Sequence, residues 1–228
     1  MKEVKVISLG GSIIIPQDKK DRFMKQFRDM LKRHYAQQKF VLVCGGGSIA
    51  RAYQHLLEEE HQNYKQLSLA GIRATRTNAE TVMQVFGKES NGTLPRSMKK
   101  VKSELHKNNV VVCGSLRYAP DETSDSTAAK LADYLKAEFI NITNVEGLYS
   151  SDPRKDPQAK FIPYQTWTEF EKRAKAIRYK PGQHFVLDQK AAQRIRKKKI
   201  KTYIVGKNAN NLDSLLRGKK FKGTTIGP

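Results

Sequence analysis

The chain has 228 residues, of which 38% are hydrophobic and 29% charged, and its mean hydropathy is −0.65. These values suit one large domain or two small lobes with a buried core, and they exclude collagen-like, disulfide-scaffold and fully disordered classes. Lys and Arg number 43 against 22 Asp and Glu, a net charge of +21. Such a charge attracts nucleic acids and small phosphorylated metabolites alike, so it leaves the partner open.

Apolar runs alternate along the chain with segments whose apolar residues recur at helical spacing. In chain order, the pattern predicts a strand at residues 4–9, a helix within 20–37, a strand at 40–44, helices at 49–59 and 71–86, a strand at 109–113, a helix at 124–136, a strand at 139–142, a helix at 186–195, a strand at 200–205, a short helix at 212–216 and a strand at 224–226. Several of these strands are apolar throughout. This alternation predicts an α/β fold with a mostly parallel sheet covered on both faces.

Two further features concern the environment of the chain. No apolar run approaches the roughly 18 residues that span a bilayer, and the N-terminus lacks the long apolar stretch of a signal peptide. We therefore expect no membrane association. Cys44 and Cys113 each end an apolar run, which predicts buried thiols rather than a disulfide framework.

Glycines follow three of the predicted strands, at Gly10 and Gly11, at residues 45–47 and at Gly114. Ligands of open α/β sheets bind beyond the carboxyl ends of the strands. Glycine lets backbone N–H groups approach phosphate oxygens, and a following helix N-terminus adds partial positive charge. One such segment is compatible with a tight turn alone, but three at one sheet edge predict a site for several phosphates. The motifs GxxxxGKS/T, GxGxxG, CxxC and HExxH are absent, which argues against a P-loop, a dinucleotide site and a zinc site.

Two polar segments follow predicted strands. The first, DETSDST at residues 121–127, precedes a predicted helix, and two interpretations stay open: N-capping by Ser124 or Asp125, and a carboxylate with hydroxyls beside a phosphate site. The second, TNVEGLYSSDP at residues 143–153, is too polar and too particular for a turn alone.

Together these segments resemble the amino-acid kinase superfamily and, within it, the archaeal-type uridylate (UMP) kinases. The resemblance rests on ISLGGS at 7–12, GGGSIAR at 45–51, GIRATRTNA at 71–79, TSDSTAA at 123–129, TNVEGLY at 143–149 with Asp152 and Pro153, and GTTIGP at 223–228. It implies a three-layer αβα sandwich around a central, mainly parallel sheet. It also implies a single domain over residues 1–228, with the acceptor side roughly within 1–135 and the ATP side roughly within 136–228, and a cytoplasmic homohexamer.

The function that the resemblance implies is transfer of the ATP γ-phosphoryl group to UMP, giving UDP and ADP. Such a transfer needs positioning and charge neutralisation, and Mg²⁺ would enter with ATP and bridge its oxygens. No residue is predicted as a ligand of a separate metal. On the ATP side the resemblance assigns Gly10, Gly11, Gly47, Arg51, Thr143, Asn144, Tyr149 and Asp152. On the acceptor side it assigns Gly46, Ser68, Arg117, Thr123 and Ser124.

The resemblance assigns catalysis to Asp125, which would orient the catalytic groups, and to Arg51, whose planar guanidinium suits a phosphate. Many superfamily members use a lysine on the first strand, where this chain has Ser8 and Leu9. Lys180 is the candidate for a compensating cation, and an ordinary exposed lysine is the alternative interpretation.

The acceptor side departs from the family pattern in two places. Ser68 stands where archaeal-type uridylate kinases usually carry an aspartate that contacts the acceptor, and a hydroxyl lacks the charge of a carboxylate. The segment at 114–125 is two residues longer than its family counterpart and carries Arg117 and Tyr118. One alternative function therefore keeps the fold and the ATP site with another phosphate- or carboxylate-bearing acceptor.

A basic run, KAAQRIRKKKIK at residues 190–201, has no counterpart expected in the family. We favour a solvated helix end, whose cations complement the helix dipole. A nucleic-acid patch is the less favoured interpretation because aromatic residues do not interleave the run. With the charge of +21, this run motivates a second alternative, a non-catalytic nucleotide- or nucleic-acid-binding relative.

Overall fold

A central sheet organises the chain, which a computed structural model describes at residues 2–18, 20–176 and 187–228. The strands are β1 (Glu3–Leu9), β2 (Gln38–Cys44), β3 (Val110–Cys113), β4 (Glu138–Thr143), β5 (Leu148–Tyr149), β6 (Phe161–Ile162), β7 (Tyr164–Thr166), β8 (Thr202–Gly206) and β9 (Gly223–Gly227). The helices are α1 (Gly11–Ile14), α2 (Phe23–Lys32), α3 (Gly47–Glu59), α4 (Tyr64–Phe86), α5 (Met98–Lys107), α6 (Ser124–Leu135), α7 (Trp167–Ala176), α8 (Gln189–Lys198) and α9 (Ala209–Leu216), and a 3₁₀ turn spans Gly87–Glu89.

The main sheet has the strand order β3-β2-β1-β4-β8-β9-β7, and β5 and β6 form a separate small ribbon. All neighbours in the main sheet are parallel except β8 and β9. Leu9 at the end of β1 lies opposite Cys44 of β2 and Ile142 of β4. The segments that follow these three strands therefore leave the sheet at one common edge.

Helices cover both faces of the sheet, as the apolar strands require. Val6 and Val41 face one way, into a core with apolar residues of α5, α6, α7 and α8. Ile7 and Leu42 face the other way, into a core with residues of α1, α2, α4 and α9. Successive side chains of a strand point to opposite faces, so strands buried on both sides must be apolar at every position. The predicted α/β class and the three-layer αβα sandwich are confirmed.

The differences from the predicted elements have local causes. Helix α4 begins at Tyr64, seven residues before the predicted start at Gly71, because Asn63 caps its first turn by accepting from the Gln66 backbone N–H at 3.1 Å. The pattern does not predict α5, whose three apolar residues lie among four lysines and a histidine. It also does not predict α1, α7 and the short strands β5 to β7. The start of the helix predicted at 186–195 lies outside the described residues.

Both cysteines are free and buried, as their apolar surroundings predict. Burial raises the pKa of the Cys113 thiol to about 12 and raises that of Cys44 well above its usual value. Both thiols therefore stay protonated near neutral pH and act as small apolar side chains. Within the described ranges, no helix has both the length and the apolar character that crossing a bilayer requires.

Candidate active site

A cavity of about 520 Å³ opens at the sheet edge where β1, β2 and β4 end. It brings together all of the residues that the sequence assigns to ATP, which are Gly10, Gly11, Gly47, Arg51, Thr143, Asn144, Tyr149 and Asp152. Gly46, Ser124 and Asp125 line the same cavity. Residues of the predicted acceptor side and of the predicted ATP side thus meet in one space.

The two glycine segments touch each other through their backbones. A Cβ atom on Gly11 would lie 2.2 Å from the Gly47 nitrogen, and one on Gly47 would lie 2.7 Å from the Gly11 carbonyl carbon. Gly47 also has a φ of +61°, a conformation that side-chain-bearing residues rarely adopt. Only glycine at both positions allows the starts of α1 and α3 to converge on the cavity.

The first turn of α3 presents backbone N–H groups at this point. Gly46 occupies the N-cap position, and as a glycine it has no side chain with which to cap the helix. The buried Asn78 side chain donates to the carbonyl oxygens of Gly45 and Gly46, at 2.7 and 3.3 Å. These carbonyls are thus bound from the side of α4, and the free N–H donors of a helix start are suited to an anion. Nothing in the sequence pattern singled out Asn78, because its role depends on the approach of α4 to β2.

Asp125 stands at the first turn of α6 and faces the cavity. The Ser8 hydroxyl donates to its Oδ1 at 2.8 Å. Burial, followed by the negative charge of Asp188, raises the pKa of Asp125 to about 7. A carboxyl group held in this way is poised to ionise when a cation arrives, and perturbed groups in a cavity are typical of functional sites.

Asp188 is a residue that the sequence analysis missed. Its carboxylate accepts from the Ser126 hydroxyl at 2.7 Å and from the Ser126 backbone N–H at 3.1 Å. It also accepts from the Ala191 N–H at 2.7 Å and thereby caps α8. One carboxylate therefore ties the starts of α6 and α8 together beside Asp125. An aspartate before a helical segment is a capping signal in the sequence, but its second partner is 62 positions away.

Thr123 also takes part in this arrangement. Its hydroxyl accepts from the Asp125 backbone N–H at 3.1 Å and donates to Asp188. It thus acts as the N-cap of α6, and it is not among the residues that line the cavity. The expectation that Ser124 or Asp125 caps the helix is therefore wrong, because Thr123 is the N-cap. Ser124 and Asp125 face the cavity instead.

Three arginines line the cavity, and they differ in their hydrogen bonds to other residues. Arg51 has no hydrogen bond or ion pair to any described residue. Arg154 holds Asp152 through two contacts, Nε to Oδ1 at 3.0 Å and Nη2 to Oδ2 at 2.9 Å, and it lowers the pKa of that carboxyl to about 2. Arg173 of α7 reaches the cavity, and within the described part of the chain its buried Nε has no hydrogen-bond partner. Arg173 is thus a further candidate cation, whereas Lys180 lies outside the described residues.

The far end of the cavity carries polar and aromatic groups from the segment after β4. The Asn144 side chain donates to the Ser12 hydroxyl at 2.8 Å and links this segment to the first glycine loop. The Tyr149 ring packs edge-on against Phe161, with the ring centres 5.4 Å apart. The β5–β6 ribbon therefore gives Tyr149 a defined position beside the glycines.

Three predicted acceptor residues do not line this cavity: Thr123, which caps α6, Ser68 and Arg117. Ser68 lies on α4, about one helical turn before Gly71, whose carbonyl oxygen would be 3.5 Å from a Cβ on Gly46. Arg117 lines a different cavity, on the side of α5, α6 and α8. The structure thus brings the phosphate-binding candidates together at one cavity and leaves these three acceptor candidates outside its lining.

Comparison with known proteins adds to this geometry. A model of the amino acid kinase family matches residues 3–206. The chain belongs to the amino acid kinase family. A uridylate kinase of Thermococcus kodakarensis is 33% identical over 98% of this chain and 99% of its own length. One of Archaeoglobus fulgidus is 34% identical over 97% of this chain and 98% of its own length.

Solved structures of this family have the same architecture. The crystal structure of a uridylate kinase from Archaeoglobus fulgidus superposes with a TM-score of 0.84 at 31% identity, and the match covers 100% of both chains. A UMP kinase from Ureaplasma parvum superposes with a TM-score of 0.81 at 20% identity, again over 100% of both chains, and supports the fold alone. The resemblance stated from the motifs is therefore confirmed over almost the full length of the chain.

The residues around the cavity contain no separate metal cage. In the described ranges, no group of three or more His, Cys, Asp and Glu side chains is arranged to hold a metal ion. Asp125 offers the cavity a carboxyl group whose pKa is raised by burial and by Asp188. This donor set fits a divalent cation that arrives on a nucleotide, because Mg²⁺ is usually held by one or two carboxylates together with substrate phosphates.

Proposed function

We propose that this family member is a uridylate kinase, which transfers the γ-phosphoryl group of ATP to UMP and releases UDP and ADP. The observation that carries the proposal is the meeting of Gly11 and Gly47 at one sheet edge, with Asp125 facing the same cavity. The full-length similarity to proteins named uridylate kinase supports the same activity.

In this proposal the glycine loops bind the phosphates of ATP. The backbone N–H groups at the start of α3 donate to phosphate oxygens, and Arg51 adds a guanidinium without a competing partner. Thr143, Asn144, Tyr149 and Asp152 hold the adenosine. Arg173 offers its buried, unpaired Nε to the phosphates, since a buried donor of this kind gains most from an anionic acceptor.

Asp125 is the catalytic residue of the proposal. When Mg²⁺ is bound, it neutralises the charge that builds up on the phosphate oxygens. Asp125 would hold it from the protein side, because the raised pKa shows that this carboxylate gains from a nearby cation. Ser8 donates to Oδ1 and so orients the carboxylate. Asp188 keeps the first turn of α6 in place and acts as a positioning residue.

The reaction needs no protein base. An oxygen of the UMP phosphate attacks the γ-phosphorus, and the bond from that phosphorus to the bridging oxygen of ADP breaks. The second pKa of a phosphate monoester is near 6, so the attacking oxygen is already ionised at neutral pH. Catalysis then depends on positioning and on charge neutralisation.

Gly46, Arg51 and Ser124 would hold the acceptor phosphate, because they face the same cavity as the ATP residues. Selectivity for the base is less strict in this proposal. Ser68 lacks the carboxylate of the family pattern. A wrong base then leaves fewer buried polar groups of the site without a partner, so the site rejects that base less strongly. UMP is therefore the preferred acceptor, with CMP and dUMP as weaker substrates.

The resemblance also supports a cytoplasmic homohexamer. Helix α3 exposes Tyr53 and Leu56, which are 51% and 57% accessible, and exposed apolar side chains on one helix are typical of a subunit contact. Sedimentation analysis of the chain and of Leu56→Lys tests this part. A wild-type monomer would contradict it.

The activity is tested with a panel of nucleoside monophosphates and Mg-ATP. We expect the highest kcat/KM for UMP and lower values for CMP and dUMP, because the phosphate contacts are common to all three. Turnover of another acceptor, with none of UMP, would reject the uridylate kinase and favour a changed acceptor. Binding of an ATP analogue with no turnover of any acceptor would favour a non-catalytic relative.

A further inference from the structure

A second cavity, of about 640 Å³, lies between α5, α6 and α8, away from the glycine loops. Its volume is within the range of roughly 300–1,000 Å³ that is usual for small-molecule sites. Its charged lining consists of Arg96, Arg117, Lys130, Lys136 and Arg194 against Glu122 and Asp133. The proposed kinase reaction uses none of these groups, although the family resemblance assigns Arg117 to the acceptor.

The carboxylates of this cavity are already paired. Glu122 contacts Lys130, and Asp133 contacts Arg194 at 3.0 Å and Lys136 at 3.4 Å. Neither Arg96 nor Arg117 has a hydrogen bond or an ion pair to any residue that the structure describes. Two guanidinium groups therefore remain at the cavity without a counter-charge.

The backbone beside Arg117 is held firmly. Arg76 donates from Nε to the Ser115 carbonyl at 3.2 Å and from Nη2 to the Leu116 carbonyl at 2.7 Å. The Ser115 N–H donates to the Thr75 hydroxyl at 2.9 Å. Burial, followed by the charge of Arg96, lowers the pKa of Arg76. Arg96 therefore lies close enough to Arg76 for their positive charges to repel each other.

The helices around the cavity strengthen the positive field. Helix α8 carries five Lys and Arg and no Asp or Glu, and α5 carries four lysines and one glutamate. The basic run of the sequence analysis thus borders this cavity through Arg194. A concave site with charges of one sign concentrates ligands of the opposite sign.

We propose that this cavity is a second anion-binding site, which takes a small ligand with two or more phosphate groups bound by Arg96 and Arg117. The planar guanidinium group forms paired hydrogen bonds with phosphate oxygens, which suits arginine better than lysine to this task. A small ligand fits better than a nucleic acid because the site is a pocket with a single aromatic lining residue, Tyr134, whereas single strands are bound along grooves with successive stacking aromatics.

The two cavities are neighbours through α6. Glu122 and Thr127 line the second cavity, while Ser124 and Asp125 between them line the first. A ligand bound by Arg117 therefore contacts the segment that leads to Asp125 and restrains it. The segment at 114–125 thus carries Arg117 at the second cavity and Ser124 and Asp125 at the first.

Calorimetric titration with inorganic triphosphate tests the site. The active site is first saturated with a non-hydrolysable ATP analogue, whose own binding is measured separately, so that failure of the proposed kinase function is seen independently. We expect one further triphosphate site per chain in the wild type. The double variant Arg96→Gln/Arg117→Gln should bind triphosphate at least about tenfold more weakly, because two charge-assisted hydrogen-bonding groups are lost.

Arg22→Gln is the matched control, because Arg22 precedes α2 on the other helical layer and, like the two cavity arginines, is exposed. It should leave triphosphate binding unchanged. Thermal unfolding should give the same midpoint for all variants, since no described ion pair is removed. The proposal is overturned if no site remains after saturation or if the double variant binds as the wild type does. Tighter binding of a labelled RNA oligonucleotide, lost in the same double variant, would also overturn it in favour of nucleic acid.

Discussion

Replacing Asp125 with asparagine separates the proposed catalytic role of this side chain from its effect on stability. The amide keeps the size of the carboxyl group, and its Oδ1 still accepts from Ser8, but it cannot ionise. Burial and Asp188 raise the pKa of Asp125 from 3.8 to about 7. Each pKa unit corresponds to about 1.4 kcal/mol. Ionisation of Asp125 therefore lowers the free energy of unfolding by about 2–4 kcal/mol, where the lower value takes solvent screening into account.

The sign of this effect sets the pH window. The folded-state pKa lies above the unfolded value, so the folded protein binds the proton more tightly. Below about pH 4 both states are protonated and the effect is absent. As the pH rises towards 7, the wild type loses the stability that the protonated carboxyl contributes, whereas Asp125→Asn does not. We therefore expect the variant to be within about 1 kcal/mol of the wild type at pH 4 and about 2–4 kcal/mol more stable at pH 8.

The turnover rate of Asp125→Asn should fall, although its stability at pH 8 rises. Removal of a preorganised charge aimed at the moving phosphoryl group costs on the order of 10²–10³ in rate. Urea unfolding between pH 4 and 8 and steady-state kinetics with Mg-ATP and UMP measure the two effects. Asp121→Asn is the control, because Asp121 is exposed and already has a φ of 58°, which asparagine accepts. Loss of stability at pH 8, or turnover within a few-fold of the wild type, would refute the role given to Asp125.

Three further predictions test the rest of the site. Gly47→Ala should lower the free energy of unfolding by more than Gly87→Ala, because both glycines have a positive φ but only a Cβ at Gly47 would meet another backbone. The backbone strain alone costs about 1–3 kcal/mol in each variant. Equal urea midpoints for the two variants would contradict the close approach of Gly47 to Gly11. Arg173→Gln should raise the KM for ATP about tenfold, because a charged hydrogen-bond donor is lost. Lys172→Gln, which changes the exposed neighbouring residue, should leave the KM unchanged. Equal KM values for the two variants would show that Arg173 does not bind ATP. Ser68→Asp should raise the ratio of the kcat/KM value for UMP to that for CMP. An unchanged ratio would show that residue 68 on α4 does not contact the base of the acceptor.

Local sequence was sufficient for the fold class and for the expectation that the glycine segments meet at one sheet edge. Strand β3 and residues 40–44 of β2 are buried on both faces, so they must be apolar, and this constraint is visible in the residues themselves. Gly11 and Gly47 are likewise readable, because only glycine allows two backbones to touch. Their common position follows from the parallel arrangement of the strands, which brings the carboxyl ends to one edge.

Other parts of the site depend on contacts between distant segments, and no local pattern contains them. Asp188 has the sequence signature of a helix cap, but its bonds to Ser126 arise only when α8 packs beside α6. The antiparallel pairing of β8 with β9 could likewise not be predicted from the sequence. A strand shows the same pattern of apolar residues whether its neighbour runs parallel or antiparallel. Arg117 was assigned to the acceptor from its place in the chain, whereas the backbone held by Arg76 brings it to the second cavity. Burial and charge at Asp125 are properties of the packed molecule, since both are sums over neighbours that the chain brings together only on folding.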